Sequence, residues 1–156
     1  MIYEFANHKV INAQPTILYN LIKRSEDWPL FIGDCIEVKN TINNEGVYTR
    51  YMKSKVRHIT CEMKTECVFY DEKFLMEFKQ IMQPWPIKSN SGKWYIEKLT
   101  ENESRMTLIH YVEIKYGFIG DLLMKLFIGK CFISSHADKV LEEFSRYAQG
   151  GEIEKY

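Results

Sequence analysis

Two consecutive stretches of the chain, residues 90–99 and 105–114, alternate between apolar and polar side chains. In the second stretch one face is formed by Met106, Leu108, His110, Val112 and Ile114. The residues between them are polar and typical of a turn. The pattern predicts a β-hairpin whose apolar face carries a tryptophan and a histidine. Because such a face must be covered, and the C-terminal segment is the only long candidate, the hairpin predicts a sheet packed against a C-terminal element.

Five further stretches have the same period of two. They are residues 2–12, 34–42, 47–57, 59–70 and 74–82. Polar turn residues separate the last four, and charged side chains recur on one face of them. Together with the hairpin, these stretches predict seven antiparallel strands with a charged face toward water and the other face toward the core.

Helical spacing replaces this alternation after the first strand. Pro15 fits the first turn of a short helix that ends near Lys23. Ser25 suits the start of a second short helix that runs through Trp28, and Pro29 restricts the conformation of the chain beyond it.

A long amphipathic helix is predicted near the C-terminus, beginning as early as Asp121 and stopped by Gly150 and Gly151. Its apolar side comprises Ile133, Ala137, Val140, Leu141, Phe144 and Ala148. Gly129 bends or interrupts the helix. The apolar run 119–128 is expected to pack on the sheet as the start of this helix, with contact to a membrane or a partner protein as the alternative.

The predicted fold class is α+β, a seven-stranded curved antiparallel sheet wrapped on the long helix, with two short helices after the first strand. Residues 1–150 fit one domain, and residues 151–156 fit a frayed tail. A curved sheet on one helix tends to leave a cavity between them. The ten Tyr, nine Phe and seven Met residues suit a core or the lining of such a cavity.

Composition argues against several classes of function. The 21 basic and 21 acidic residues give a formal net charge of zero, so a nucleic-acid partner is not expected. No apolar run reaches the roughly 18 residues of a membrane span, and the N-terminus does not read as a signal peptide. The four cysteines have no C-x-x-C spacing, and no metal-ligand cluster or cofactor motif is evident. We therefore expect a cytoplasmic protein with reduced thiols and neither a metal nor a cofactor.

The order of elements and several local strings resemble the START-like (SRPBCC) superfamily with its helix-grip fold, and within it the polyketide cyclase/dehydrase branch. The strings are His8-Lys9-Val10-Ile11-Asn12-Ala13, Trp28-Pro29-Leu30-Phe31, Gly92-Lys93-Trp94 and Thr107-Leu108-Ile109-His110. The resemblance implies a deep apolar cavity for a polyketide, a lipid or another hydrophobic small molecule. Aromatase/cyclase relatives fold a poly-β-ketone chain and promote aldol condensation with loss of water.

The same resemblance locates family site residues on this chain. A Ser-x-Arg pair on the fourth strand of the relatives, thought to orient the polyketide, aligns with Thr65-Glu66-Cys67, so that the hydroxyl is kept and a thiol replaces the arginine. Asp34 lies near the place of a tyrosine that relatives often carry after the Trp-Pro motif. Trp28 follows a short helix that borders the cavity in relatives.

Arg50 is the first candidate for a catalytic residue, because its strand phase points it toward the interior. An unpaired buried guanidinium costs several kcal/mol, so it must meet a buried acid such as Asp34 or a ligand with anionic or carbonyl oxygens. Over a β-dicarbonyl it would stabilise an enolate. A strand phase shifted by one residue would instead leave Arg50 in solvent.

His110 is the second catalytic candidate, as a general base or as a hydrogen-bonded core histidine. Trp28 and Trp94 can stack on a planar ligand or serve the core. Cys67 is more simply an inert buried thiol than a nucleophile. The remaining candidates for contact with ligand share the apolar faces of their strands and are Tyr48, Ser54, Thr65, Phe78 and Gln80.

Two functions stay open at this point. One is a polyketide cyclase or aromatase-like dehydratase, for which an acyl carrier protein is a candidate partner. The other is a non-catalytic carrier of a hydrophobic small molecule such as a lipid or a quinone. Both need an internal cavity with a few polar side chains directed into it.

Overall fold

The computed structural model describes residues 1–150, and the predicted tail 151–156 lies outside the described residues. Seven strands form one antiparallel sheet in the order β1-β7-β6-β5-β4-β3-β2. Their bounds are β1 Ile2–Ile11, β2 Cys35–Ile42, β3 Tyr48–Val56, β4 Ile59–Tyr70, β5 Leu75–Met82, β6 Ile87–Thr100 and β7 Glu103–Ile114. Each predicted strand is present, with ends that differ by up to three residues.

The helices fall into two groups. After β1 come α1 Pro15–Lys23, a 3₁₀ turn Ser25–Asp27 and α2 Trp28–Phe31. After β7 the chain is continuously helical, as α3 Gly117–Leu123, a π-helical segment Met124–Ser134 and α4 Ser135–Ala148. The α+β class and the helix-grip arrangement predicted from the sequence are thereby confirmed.

The β6–β7 hairpin supplies the centre of the concave sheet face. Trp94 pairs with Leu108, and Gly92 pairs with His110. A Cβ atom at Gly92 would lie 1.9 Å from the Ile109 carbonyl oxygen and 2.8 Å from the Phe78 ring, so no side chain fits there. The missing side chain lets the Phe78 ring cross the sheet toward His110, with their ring centroids 5.5 Å apart.

Helix α4 and the two short helices α1 and α2 cover the part of the concave face that surrounds Trp94. Phe144 is fully buried and contacts Trp28, Trp94 and Phe31 at centroid distances of 5.1–5.7 Å. The other buried apolar residues of α4 are ones that the helical period predicts, Ala137, Val140 and Leu141, and Ser145 is buried beside them. This apolar burial is the main contribution to the stability of the packing between the sheet and α4.

The region after α1 differs from the prediction. The second helix does not end at Trp28, because Pro29 sits in its first turn, where a backbone N–H has no intrahelical partner to lose. Ser25 is fully buried, and its hydroxyl exchanges hydrogen bonds with the Asn40 side chain on β2 rather than capping the helix.

The start of the C-terminal helical region also differs from the prediction. It begins at Gly117, not Asp121, and the run 119–128 does not bury its large apolar side chains on the sheet. Gly120, Met124 and Gly129 are the buried residues there, while most of the large apolar residues between them face outward. In the described part of the chain, no helix has the length and apolar character needed to cross a bilayer.

Candidate ligand-binding site

Strand register brings most of the predicted site residues to the concave face. Arg50 on β3 pairs with Thr65 on β4, which pairs with Gln80 on β5. One row along, Tyr48 pairs with Cys67, and Cys67 pairs with Phe78. The Phe78 row continues through Gly92 to His110. The alternation of each strand therefore aims these side chains into one interior.

Arg50 is buried, with 4% of its surface exposed, so its predicted inward phase is correct. Its guanidinium carbon lies 4.5 Å from the Trp28 ring centroid and 5.9 Å from that of Tyr48. Nη2 donates a hydrogen bond of 3.0 Å to the Ile22 carbonyl oxygen, and Nε has no partner. Among residues 1–150, no carboxylate lies within ion-pair distance of it.

Asp34 does not neutralise Arg50, contrary to one of the two predicted arrangements. Its carboxylate lies 3.0 Å from Lys139 Nζ and 3.4 Å from His136 Nδ1, both on α4. The reason is that Asp34 sits in the loop before β2, beside α4, whereas Arg50 lies deeper against Trp28. Asp34 therefore ties the edge of the sheet to the helix.

His110 is surrounded by the fold yet keeps some accessible surface. Its Nδ1 lies 3.3 Å from the Asn90 Oδ1 atom. Burial, and secondarily the charge of nearby His136, lower the pKa of His110 to about 4. The ring is therefore a neutral imidazole at neutral pH, the form that accepts a proton.

Asn90 lies within 3.3 Å of His110 and the charge of His136 acts on the His110 ring, and the sequence-based predictions included neither residue. Burial lowers the pKa of His136, and the Asp34 charge partly opposes this effect. The signals were present in the sequence. Asn90 continues the alternation of Gly92 and Trp94, and position 136 lies on the helix face of Ala137 and Val140.

Trp28 and Trp94 both lie in the core, with ring centroids 6.1 Å apart. The Trp28 indole Nε1 donates a 2.8 Å hydrogen bond to the Leu21 carbonyl oxygen, and its face carries the Arg50 guanidinium. Trp28 therefore positions the Arg50 guanidinium, and this role does not depend on which ligand the protein binds.

The two buried thiols near Arg50 are poor nucleophiles. Burial raises the pKa of Cys67, with partial opposition from the Arg50 charge, and the same two causes act on Cys35, whose pKa rises to about 12. Both remain protonated at neutral pH. The interpretation of Cys67 as an inert thiol is the one that agrees with this environment.

Gln80 and Ser54 are further polar groups of the interior. The Gln80 Nε2 atom donates to the Met63 sulfur at 3.4 Å, and its buried Oε1 atom has no partner. Ser54 is buried beside Cys61 on the next strand. Orphaned buried atoms such as Gln80 Oε1 and Arg50 Nε are rare in proteins, and each needs a physical explanation.

Several inward-facing side chains keep some accessible surface although their strands aim them into the fold. They are Met52, Met63, Thr65, Gln80, Met82 and His110. A separate groove of about 300 Å³ lies between β1 and the π-helical segment, lined among others by Tyr3, Phe5 and Gly129.

Metal chemistry has no visible ligand set in this part of the molecule. Within residues 1–150, no group of three or more His, Cys, Asp or Glu side chains is arranged to hold an ion. The His110 and Asn90 side chains are suited to a hydrogen bond.

Comparison with known families gives one match, over residues 11–130, to the family described as polyketide cyclase / dehydrase and lipid transport. A search of curated proteins gives no match.

Solved structures match along almost the whole chain. A protein from Thermus thermophilus has a TM-score of 0.80 at 16% identity, covering 95% of this chain and 98% of its own. The Zhui aromatase/cyclase from Streptomyces sp. R1128 has a TM-score of 0.77 at 10% identity, covering 97% and 100%. A START superfamily protein from Mycobacterium smegmatis has a TM-score of 0.73 at 14% identity, covering 92% and 97%. At these identities the likeness establishes the fold alone.

Proposed function

The chain belongs to the polyketide cyclase / dehydrase and lipid transport family. We therefore propose that it binds a carbonyl-bearing hydrophobic molecule in the interior between the concave face of the sheet and the C-terminal helix. We further propose that this molecule is a polyketide intermediate and that the protein promotes its aldol cyclisation and dehydration. The solved aromatase/cyclases that share its fold support this choice of substrate class.

The observation that carries the proposal is the environment of Arg50. A buried guanidinium held by one carbonyl oxygen and two aromatic faces, with no carboxylate near it among the described residues, keeps an uncompensated charge. Isolating such a charge from water costs several kcal/mol unless an acceptor supplies hydrogen bonds. Ligand carbonyl or enolate oxygens would satisfy the free Nε atom and recover part of that cost.

The proposed reaction divides between two sides of the interior. Neutral His110 accepts the proton from a methylene between two carbonyls, while Arg50 stabilises the enolate oxygens. The enolate carbon then attacks a second carbonyl carbon, forming the C–C bond and an alkoxide that takes up the proton. Loss of this hydroxyl with a neighbouring proton releases water. The walls of the interior hold the chain folded, which lowers the entropy cost of ring closure.

Two accompanying features belong to the same proposal. The intermediate would arrive on an acyl carrier protein, because a reactive poly-β-ketone chain must stay tethered until it is folded. The protein would act in the cytoplasm, where its four unpaired cysteines stay reduced.

A carrier function is the second candidate, and a specific observation favours it. Cys67 stands where the resembling aromatase/cyclases have an arginine, and it presents a protonated thiol to the interior. A protein without that arginine has fewer groups to activate a polyketide. In this alternative the interior holds a lipid or a quinone, and Arg50 binds one of its oxygens without turnover.

Arg50→Met tests the proposal, because methionine keeps most of the side-chain volume and removes the charge. We expect turnover of a synthetic poly-β-ketone thioester to fall by about 10²–10³-fold, the usual cost of losing an oxyanion donor. The melting temperature should change little, since apolar replacement of a buried charge is often neutral. Product formation by liquid chromatography and thermal unfolding are the measurements.

Lys53→Met is the matched control, since it removes a charge from the outward face of the same strand. Wild-type turnover in Arg50→Met would contradict the catalytic assignment. A wild-type protein that carries a lipid or a quinone by native mass spectrometry and turns over no thioester would establish the carrier function instead.

A further inference from the structure

The surface around α3 and the π-helical segment exposes a large set of apolar side chains. We call this surface the apolar platform, and it comprises Trp85, Tyr116, Phe118, Ile119, Leu122, Leu123, Leu126, Phe127 and Phe132. Phe118 is 83% exposed and Trp85 is 72% exposed. Large apolar side chains exposed in this number on one region of a folded protein indicate an interaction site.

The platform is built by reversing the ordinary amphipathic pattern. The fully buried residues are small or flexible, Gly120, Met124 and Gly129, and most of the large apolar residues face outward. The close approach is specific, because a Cβ atom at Gly129 would lie 2.6 Å from the Phe5 ring and one at Gly120 would lie 2.2 Å from the Lys115 carbonyl oxygen. Because this close approach leaves no room for a side chain at Gly120 or Gly129, folding leaves most of the large apolar side chains of the segment in solvent.

The charges bordering the platform are mostly positive. Lys115, Lys125 and Lys130 are exposed, and none is in an ion pair within residues 1–150. The one acidic residue of α3, Asp121, lies 4.0 Å from the N-terminal ammonium group. Since the whole chain has a formal net charge of zero, this positive excess is local.

We propose that the apolar platform docks on the surface of an anionic lipid bilayer, with its helical segments lying in the interface. Large apolar and aromatic side chains flanked by lysines are the composition of interfacial helices. Trp85 and Tyr116 carry the polar tips that suit the headgroup level, and the Trp85 indole donates a 3.0 Å hydrogen bond to the Tyr116 hydroxyl. Each lysine near an anionic leaflet adds to the attraction.

The charge pattern argues against a second copy of this chain as the occupant. A two-fold interface places the same patch on both sides, so the lysines of one copy would face those of the other. The platform offers no unpaired carboxylate among the described residues to balance them. An anionic surface removes this repulsion.

The docked orientation also has a consequence for the interior. Arg57, in the turn between β3 and β4, donates from Nη2 to the Cys131 carbonyl oxygen and lies 4.8 Å from the centroid of the Phe132 ring. The platform thus adjoins the β3–β4 turn, at the end of the sheet where the inward-facing Met52 and Met63 keep some accessible surface. Docking places that end against the lipid.

The test is flotation of the full-length protein with vesicles of phosphatidylcholine containing 30% phosphatidylglycerol, in 0.1 M salt. We expect binding to these vesicles, weak binding to phosphatidylcholine alone, and release at 0.5 M salt, because screening shortens the reach of the charges. Phe118→Ser with Phe127→Ser should lower the partition coefficient by at least about tenfold. Lys125→Gln with Lys130→Gln should lower it by about fivefold per lysine.

Ile42→Ser is the matched control, since Ile42 is an equally exposed apolar residue on the edge strand β2. It should leave binding unchanged. Trp85 gives a second measurement, because it is the exposed one of the three tryptophans. Brominated lipids should quench its fluorescence, and the quenching should disappear in Trp85→Phe.

Failure of the wild-type protein to float with anionic vesicles would overturn the proposal, as would wild-type binding by the phenylalanine variant. A concentration-dependent dimer that the phenylalanine variant abolishes, with no vesicle binding, would assign the platform to a second copy. Cyclisation activity in solution is independent of these outcomes, so the two proposals fail separately.

Discussion

At the scale of single residues, the two buried ionisable groups Arg50 and His110 respond to burial in opposite ways. The guanidinium cannot shed its proton, so it keeps its charge and is held by Trp28, Tyr48 and the Ile22 carbonyl oxygen. The imidazole avoids the cost of a buried charge by losing its proton. One side chain thus offers a fixed positive charge and the other a proton acceptor.

The lowered pKa of His110 predicts how stability depends on pH. Well above pH 6.5 the ring is neutral in the folded and unfolded states and adds no pH dependence. Between about pH 6.5 and pH 4 the unfolded state binds a proton that the folded state rejects, so the free energy of unfolding falls as pH falls. The loss attributable to His110 approaches about 3 kcal/mol at pH 4.

Urea unfolding of wild-type protein and His110→Gln at intervals from pH 7.5 to pH 4.5 checks this prediction. The difference in free energy of unfolding between the two proteins should shift in favour of the variant as pH falls, because glutamine has no proton to bind. Taking the difference between the two proteins cancels the contribution of carboxyl groups such as Glu143 to the pH dependence. Burial raises the pKa of Glu143. A difference independent of pH would show that His110 titrates normally in the fold.

At the scale of elements, glycines determine how closely segments approach one another. Gly92 lets β6 bring the Phe78 ring beside His110, and Gly120 and Gly129 seat the C-terminal helical region on β7 and β1. The hydrogen-bond spacing of the π-helical segment determines which of its residues share the side that contains Gly129. Its i→i+5 hydrogen bonding places Met124, Gly129 and Ser134 on one side, and these three residues line the groove beside β1.

Gly92→Ala should destabilise the protein by about 2 kcal/mol or more, because the added methyl group meets a backbone oxygen that cannot move aside. Ligand affinity should fall as well, since Phe78 and His110 must shift. Chemical denaturation is the measurement, with Ser91→Ala at the neighbouring, outward position as the control. Wild-type stability in Gly92→Ala would mean that β6 and β7 accommodate the methyl group freely.

At the scale of the whole molecule, the interior contains both a packed aromatic cluster and polar atoms without partners. Phe144, Trp28 and Trp94 form the cluster, whereas Thr65 and Gln80 keep some accessible surface and Gln80 Oε1 has no hydrogen-bond partner. Leaving such an atom unpartnered gives up stability that apolar filling would supply. Ligand binding beside these side chains would regain some of it.

Thr65→Phe places a ring in the proposed ligand space and should abolish binding of the poly-β-ketone thioester, while the protein stays folded because Thr65 is not fully buried. The wild-type protein should gain about 2.7 kcal/mol of stability at a ligand concentration 100 times the dissociation constant, and the variant should gain none. Thermal unfolding with and without ligand checks both expectations.

Thr49→Phe, on the outward face of β3, is the matched control and should bind as the wild-type protein does. Full ligand stabilisation of Thr65→Phe would place the ligand elsewhere, with the groove beside β1 as the next site to examine.

The sequence by itself determined the elements and the faces of the strands. A period of two along the chain dictates which side chains share a strand face, and so Arg50, Thr65, Gln80 and His110 could be assigned to one interior before any coordinates. The C-terminal helix and the α+β class follow from the same local geometry.

The tertiary structure alone decided what meets each face. It turned Asp34 toward Lys139 instead of Arg50, and it left Phe118 and Phe127 in solvent. Periodicity states that a face is apolar but not which distant segment covers it, or whether any does. That outcome depends on contacts between residues far apart in sequence, such as the approach of Gly129 to Phe5, which no local pattern encodes.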